Sequence, residues 1–194
     1  PFEMHCHTRH SDGTFLVPQL IESVAAYGYA GLALTDHNAV TGLLEVTEEL
    51  QRKNNCLVLP GIEWTTFYGH LLVIGCDRFV DWRFVTPDTI DEALQEIRAA
   101  GGIAGVAHPC EVGSPLMCGC NWEFRVKRWD LMDYVEIWSG PDPHASAKNG
   151  LAMPWYDALL NQGYHLAISA GRDWHGPDKP GQIPLLTATY LGID

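Results

Sequence analysis

Apolar positions along the chain fall into short runs separated by longer stretches of helical period. Runs at Glu3–His7, Gly31–Thr35, Leu57–Ile62, His70–Gly75, Ile103–Ala107, Tyr134–Trp138 and Leu166–Ser169 have the length and pattern of strands. Between them, Val17–Tyr27 puts Leu20, Ile21, Val24 and Ala25 on one face, as an amphipathic helix requires. Ala39–Gln51 and Thr89–Ala100 read the same way, the latter closed by Gly101-Gly102. Pro154–Asn161 reads as a helix that begins with Pro near its first turn and ends before Gly163. This alternation predicts one α/β domain over residues 1–194, with a largely parallel sheet or barrel. Cys110–Arg125 and Gly176–Pro184 read as loops, the former a candidate substrate loop.

Metal-capable side chains recur where these strands end, and parallel α/β proteins assemble their sites at that rim. His5 and His7 are two apart on a strand, so both rings face one side and Cys6 the other. Asp12, in Ser11-Asp12-Gly13, would suit an ordinary turn, and Asp36 an ordinary helix cap. His37 then adds a third imidazole at a strand end. Glu63 ends the third strand, His70 opens the fourth, and His108-Pro109 ends the fifth. Asp173 and His175 follow the seventh, again two apart. Six of the nine histidines, with Asp12, Glu63 and Asp173, thus hold corresponding positions, which ordinary core histidines would not do. A carboxylate such as Glu63 is able to bridge two cations. His165 starts a strand on the opposite rim and reads as structural, while His10 and His144 lie in loops near the presumed site.

Charge narrows the reading. The formal net charge is -12, from 24 acidic against 12 basic residues, so stable nucleic-acid binding is not expected. Acids and histidines in this number are what a polynuclear cation site needs. No apolar run approaches the ~20 residues that span a bilayer, so no membrane partner is expected. Six cysteines without a CxxC pair read as thiols of a reducing, cytoplasmic compartment. Cys110, Cys118 and Cys120 lack the spacing of a structural zinc knuckle. No signal peptide is visible, and the abrupt opening on a strand suggests that a few leading residues are missing.

The ordered set His5-x-His7-Thr8, Ser11-Asp12-Gly13, Thr35-Asp36-His37, Gly61-x-Glu63, Gly69-His70, His108-Pro109 and Asp173-x-His175 resembles the motifs of the polymerase and histidinol phosphatase (PHP) family. The resemblance implies a compact, distorted (βα)7 TIM-like barrel with two or three divalent metal ions, zinc, manganese or iron, at its C-terminal rim. It assigns His5, His7, Glu63 and Asp173 to a first metal. Glu63 would bridge to a second, completed by His70 and His108. Asp12, His37 and His175 would hold a third. The implied activity is hydrolysis of a small-molecule phosphoester by metal-activated water.

Val135–Gly140, Trp155–Leu160, Gly163 and Asp173–His175 are similar to the carbaryl-hydrolase-like (CehA/McbA) branch. That branch has Glu-x-x-Asn-Gly where this chain has Glu136-x-x-Ser139-Gly140. A carboxyl-ester or carbamate hydrolase is therefore the competing reading, beside a metal-binding module without turnover and a nuclease of short oligonucleotides. Glu136 is expected to orient a ligand. Arg172 and Arg9 are the candidates to hold phosphate oxygens, because a guanidinium suits bidentate contact. Asp36 is expected to shift protons or to fix His37. Trp122, Trp138 and Trp155, with the loops Cys110–Arg125 and Gly140–Ala152, are expected to wall the substrate's organic half.

Overall fold

The computed structural model describes residues 1–113, 119–142, 144, 146–178 and 187–192. Seven strands form one sheet in chain order: β1 (Phe2–Glu3), β2 (Gly31–Leu34), β3 (Leu57–Thr66), β4 (Gly69–Ile74), β5 (Ile103–Ala107), β6 (Tyr134–Ser139) and β7 (Ala167–Gly171). The α-helices are α1 (Val17–Ala26), α2 (Glu48–Asn54), α3 (Ile90–Ala99) and α4 (Ala147–Asn161). Beyond the end strands, the His7 N–H donates to the Trp174 carbonyl at 2.9 Å, and the Trp174 N–H to the His5 carbonyl at 3.1 Å. These two bonds curl the sheet into a nearly closed barrel.

The sheet is less parallel than the sequence suggests. β4 is antiparallel to both β3 and β5, while every other neighbouring pair is parallel. Only Phe67 and Tyr68 join β3 to β4, too few for the crossover that a parallel pair needs. Gly69, at φ 134, completes the turn in a conformation that a side chain would strain. The reversal explains why His70 opens its strand whereas the other candidates end theirs. It puts His70 opposite Thr65 on one side and Ala107 on the other, on the same rim as Glu63 and His108.

The expected helix over Ala39–Gln51 is not one helix. Asn38 takes a positive φ of 50°, Thr41–Glu45 forms a 3-10 turn, and α2 begins only at Glu48. The hydroxyl of Thr47, itself extended, accepts the Leu50 N–H at 3.1 Å and so starts α2 afresh. The helix expected from Pro154 begins instead at Ala147, with Pro154 inside it. Asn149 anchors that added turn, exchanging hydrogen bonds of 3.0 Å with the backbone of Ser139.

Alternation along the strands separates a lined interior from an apolar exterior. Outward residues Ile62, Trp64, Val106, Val135 and Ile137 pack with Leu94 and Ile97 of α3. Leu32 and Leu34 pack with Leu20, Ile21 and Val24 of α1. Leu72 and Ile74 share the face of His70, and Tyr134 that of Glu136. With Ala33, Ala107, Phe2 and Met4 they form an apolar cluster beneath the polar rim.

Glu3 is wholly buried beside this cluster, and its Oε1 accepts the N–H groups of His5 at 3.0 Å and Arg172 at 2.9 Å. Burial pushes its pKa from 4.5 up to about 8. Across that window the folded chain keeps a proton that the unfolded chain releases, so stability falls as pH rises, by at most ~1.4 kcal/mol per unit. Glu3→Gln keeps the acceptor oxygen and abolishes the titration. In chelator-treated protein, its melting temperature minus that of wild type is expected to rise by several degrees between pH 5 and pH 8, as followed by circular dichroism. A difference independent of pH would contradict this.

Candidate metal centre

Glu63 stands at the centre of the rim with no exposed surface. Its Oε2 lies 3.1 Å from His5 Nε2, 3.4 Å from His7 Nε2 and 2.9 Å from His37 Nδ1. Its Oε1 lies 2.9 Å from His70 Nδ1 and 3.2 Å from His108 Nε2. Burial by itself would raise this carboxyl, but the charge of His5 and the close approach of the His108, His37 and His5 rings hold it well below the usual carboxylate range. Conversely, burial would lower His5, but the carboxylates of Glu63, Glu136 and Asp173 outweigh it and raise that imidazole well above its ordinary value.

Asp173 and His175 extend the cluster outward. Asp173 Oδ1 lies 3.1 Å from His7 Nε2 and 3.4 Å from His5 Nε2. His175 Nδ1 meets the Asp173 carbonyl oxygen at 2.8 Å, which aims Nε2 at Asp12 Oδ1, 3.2 Å away. His37 Nε2 faces the same oxygen at 3.6 Å. Asp12 needs Gly13 beside it, because a Cβ there would meet the His7 backbone at 2.5 Å. The two ends of the cluster differ in access: His5 and Glu63 are sealed, whereas the Asp12 and His175 side chains are 53% and 38% exposed. His108 and Asp173 hold left-handed backbone, φ 26° and 51°, which costs of order 1 kcal/mol or more in residues other than glycine. The His108 backbone N–H donates to Glu136 Oε2 at 3.1 Å, and His5 Nδ1 meets Glu136 Oε1 at 3.0 Å, so one buried carboxylate holds the His5 ring and the His108 backbone.

The donor set fits divalent cations. His5 Nε2, His7 Nδ1, Glu63 Oε2 and His70 Nε2 are buried without a hydrogen-bond partner. Such orphaned polar atoms are costly unless something else satisfies them. Ligand atoms of His7, Asp12, His37 and His175 all lie within 4.8 Å of one another, as do those of His5, His7 and Glu63, of His37, Glu63 and His70, and of His5, His108 and Asp173. Mixed imidazole and carboxylate donors suit zinc, manganese and iron alike. The structure brings together all of His5, His7, Asp12, His37, Glu63, His70, His108, Asp173 and His175. Its groupings place His108 with Asp173 and His5 as well as beside Glu63, a mixing the sequence did not suggest.

A profile of the PHP domain matches residues 3–107. The chain is 34% identical over 79 residues to a 3',5'-nucleoside bisphosphate phosphatase of Chromobacterium violaceum, a stretch that covers 39% of this chain and 27% of that protein. The match thus spans about a quarter of the relative's length. Among solved structures, a Bifidobacterium adolescentis protein classed as a metal-dependent phosphoesterase superposes with a TM-score of 0.67 at 17% identity, covering 96% of this chain and 92% of that one. A two-domain Bacteroides vulgatus protein containing a region classed as a PHP-like metal-dependent phosphoesterase gives 0.65 at 18%, covering 91% and 52%. An amidohydrolase of Chromobacterium violaceum, with sulfate bound and no metal, gives 0.62 at 19%, covering 97% and 91%. At these identities the structures establish a shared fold.

Other expected roles need correction. Asp36 does not touch the ring of His37, whose Nδ1 meets Thr65 Oγ1 at 2.5 Å. Its carboxylate instead accepts from the Thr8 N–H, the Thr8 hydroxyl and the Ser11 hydroxyl, each at 2.7 Å, and so folds the loop that carries Asp12. His10 is tied to Thr41 and Glu45 at 2.9 and 2.8 Å. Trp155 packs on Trp129, and Trp122 on Phe124, both against the outer core, while Trp138 is 41% exposed. Cys118 lies outside the described residues, and the five described cysteines form no disulfide with one another. Arg9 is exposed at the lip, its Nε donating to the Thr14 carbonyl. Thr65, two residues beyond Glu63 on β3, shares its strand face by alternation alone and reaches His37 from there. Glu111 and Lys148, paired at 2.8 Å beside His108, carried no sequence signal.

Arg172 is not placed to hold phosphate. If Asp173 and His175 face inward, Arg172 and Trp174 face outward. Its guanidinium lies 4.0 Å over the Trp174 ring, and Nη2 pairs with Asp178 at 2.5 Å, sealed from solvent. The Tyr27 hydroxyl donates to the same carboxylate. Arg172→Met leaves Asp178 buried without its cation and is expected to lower stability by ~3–5 kcal/mol in urea unfolding. Metal uptake per folded molecule, by elemental analysis, should stay at the wild-type value. A stable variant, or a folded one that loses metal, would refute this placement.

Proposed function

The chain belongs to the PHP domain family, and from that premise we propose that residues 1–194 form one hydrolytic unit, a metal-dependent phosphoesterase acting on a small molecule. The observation that carries the reading is Glu63, a sealed carboxylate flanked by ring nitrogens that approach it closely yet leave its Oε2 without an aligned hydrogen bond. His5, His7, Glu63 and Asp173 would hold one cation, Glu63 with His70 and His108 a second, and Asp12, His37 and His175 a third. Such cations supply Lewis acidity, lowering the pKa of an attacking water and neutralising charge on the phosphoryl oxygens.

The chain's own residues do the positioning. Glu136 holds His5 and the His108 turn, and Thr65 holds His37. The open side of the cluster lies at Asp12 and His175, so the substrate enters there. Arg9, exposed on the neighbouring loop, is the guanidinium left to contact a phosphate oxygen once Arg172 is sealed away. Net charge of -12 favours a small anion neutralised at the cluster over a long polyanion gripped by the surface. Similarity to a nucleoside bisphosphate phosphatase supports a phosphoester substrate.

Chelator-treated protein should lose activity and regain it with added manganese or zinc. Assayed on a phosphomonoester, a phosphodiester and a carboxyl ester, the reconstituted protein is expected to turn over a phosphoester. His108→Ala and Asp173→Ala should each lower the rate by ~10²-fold or more and lower metal content by elemental analysis. Wild-type protein with no more metal than the variants would end the metal reading. Turnover confined to the carboxyl ester would end the phosphoester reading.

A further inference from the structure

His108 has a buried Nδ1 with no hydrogen-bond partner, while its Nε2 points at Glu63. Three other rings of the cluster have their remaining nitrogen fixed: His5 by Glu136, His37 by Thr65 and His175 by the Asp173 carbonyl. Glu111 Oε2 lies 3.5 Å from His108 Nδ1, just beyond a good hydrogen bond. Glu111 is set there by a turn, its N–H donating to the His108 carbonyl at 3.0 Å. Lys148, in the first turn of α4, holds the same Oε2 at 2.8 Å, with its side chain only 19% exposed.

We propose that Glu111 is a positioning residue for His108, and that Lys148 acts by holding Glu111 rather than by touching substrate. A small rotation of the Glu111 side chain brings Oε2 within hydrogen-bond distance of Nδ1. The N–H is thereby fixed on Nδ1, and the Nε2 lone pair is presented to the cation that Glu63, His70 and His108 would share. Carboxylate partners of this kind orient ligating rings and raise their basicity. The paired ammonium keeps the Glu111 carboxylate from swinging away and reduces the cost of enclosing it. Neither residue belongs to the cluster, and 37 positions separate them in the chain, so only the fold joins them.

This inference rests on the metal reading above, and its test separates the two. Apo protein titrated calorimetrically with zinc reports the affinity and the number of ions bound. Glu111→Ala is expected to weaken one class of site by ~10-fold or more and leave the others unchanged. Glu111→Gln, which keeps an acceptor oxygen, should recover most of that loss. Lys148→Met should weaken the same class, with no further loss in the Glu111→Ala background. Wild type that binds no zinc refutes the metal reading itself. Wild-type affinity in Glu111→Ala, with zinc bound normally by wild type, overturns this proposal alone. Additive losses from Glu111→Ala and Lys148→Met overturn the route from Lys148 through Glu111.

Discussion

A carboxylate removed from water needs compensating positive charge or donors on every side, and the rim of this barrel is organised around meeting that need at Glu63. Five imidazoles, from His5, His7, His37, His70 and His108, approach its two oxygens within 3.4 Å. They come from four separate stretches of chain, so no local segment satisfies Glu63 by itself. Five such rings around one anion bring their own difficulty, since several ring nitrogens are left facing the interior without partners. Divalent cations bound there would ease both problems, taking up ring lone pairs and offsetting the charge of Glu63.

Two features of the sheet make that convergence possible. The antiparallel β4 delivers His70 from the start of a strand to a rim that the other ligands reach from strand ends. The bonds between Trp174 and the His5–His7 stretch then bring the last strand against the first, so that Asp173 meets His7. Around these lies a ring of supporting contacts: Asp36 folding the Asp12 loop, Glu136 holding His5 and His108, Arg172 and Asp178 clamping the outside of the closing segment. The sealed inner end and the open outer end divide the labour, the first giving rigidity and the second access.

Much of this was legible before the structure. Strand ends are where the chain turns from apolar to polar, so Thr35-Asp36-His37 or Val106-Ala107-His108 could be recognised by position alone. Roles that depend on which way a side chain leaves the barrel were harder to read. Arg172 adjoins Asp173 in sequence, yet its guanidinium lies over Trp174 and pairs with Asp178. Asp36 adjoins His37, yet it serves Thr8 and Ser11. The helix expected through Ala39–Gln51 failed because apolar period does not register a threonine that restarts the chain at Thr47.

What the sequence determined by itself was the inventory: alternating strands and helices, an acidic balance, and an ordered series of His and carboxylate residues spaced to share one rim. Periodicity carries that information, because side chains two apart on a strand must face together. Tertiary structure alone decided the partnerships. The reversal of β4, the pairing of Glu111 with Lys148 across 37 positions, and the burial of Arg172 against Trp174 depend on which segments meet when the barrel closes. Those meetings are set by packing and charge compensation summed over the whole chain, and no local pattern of residues encodes them.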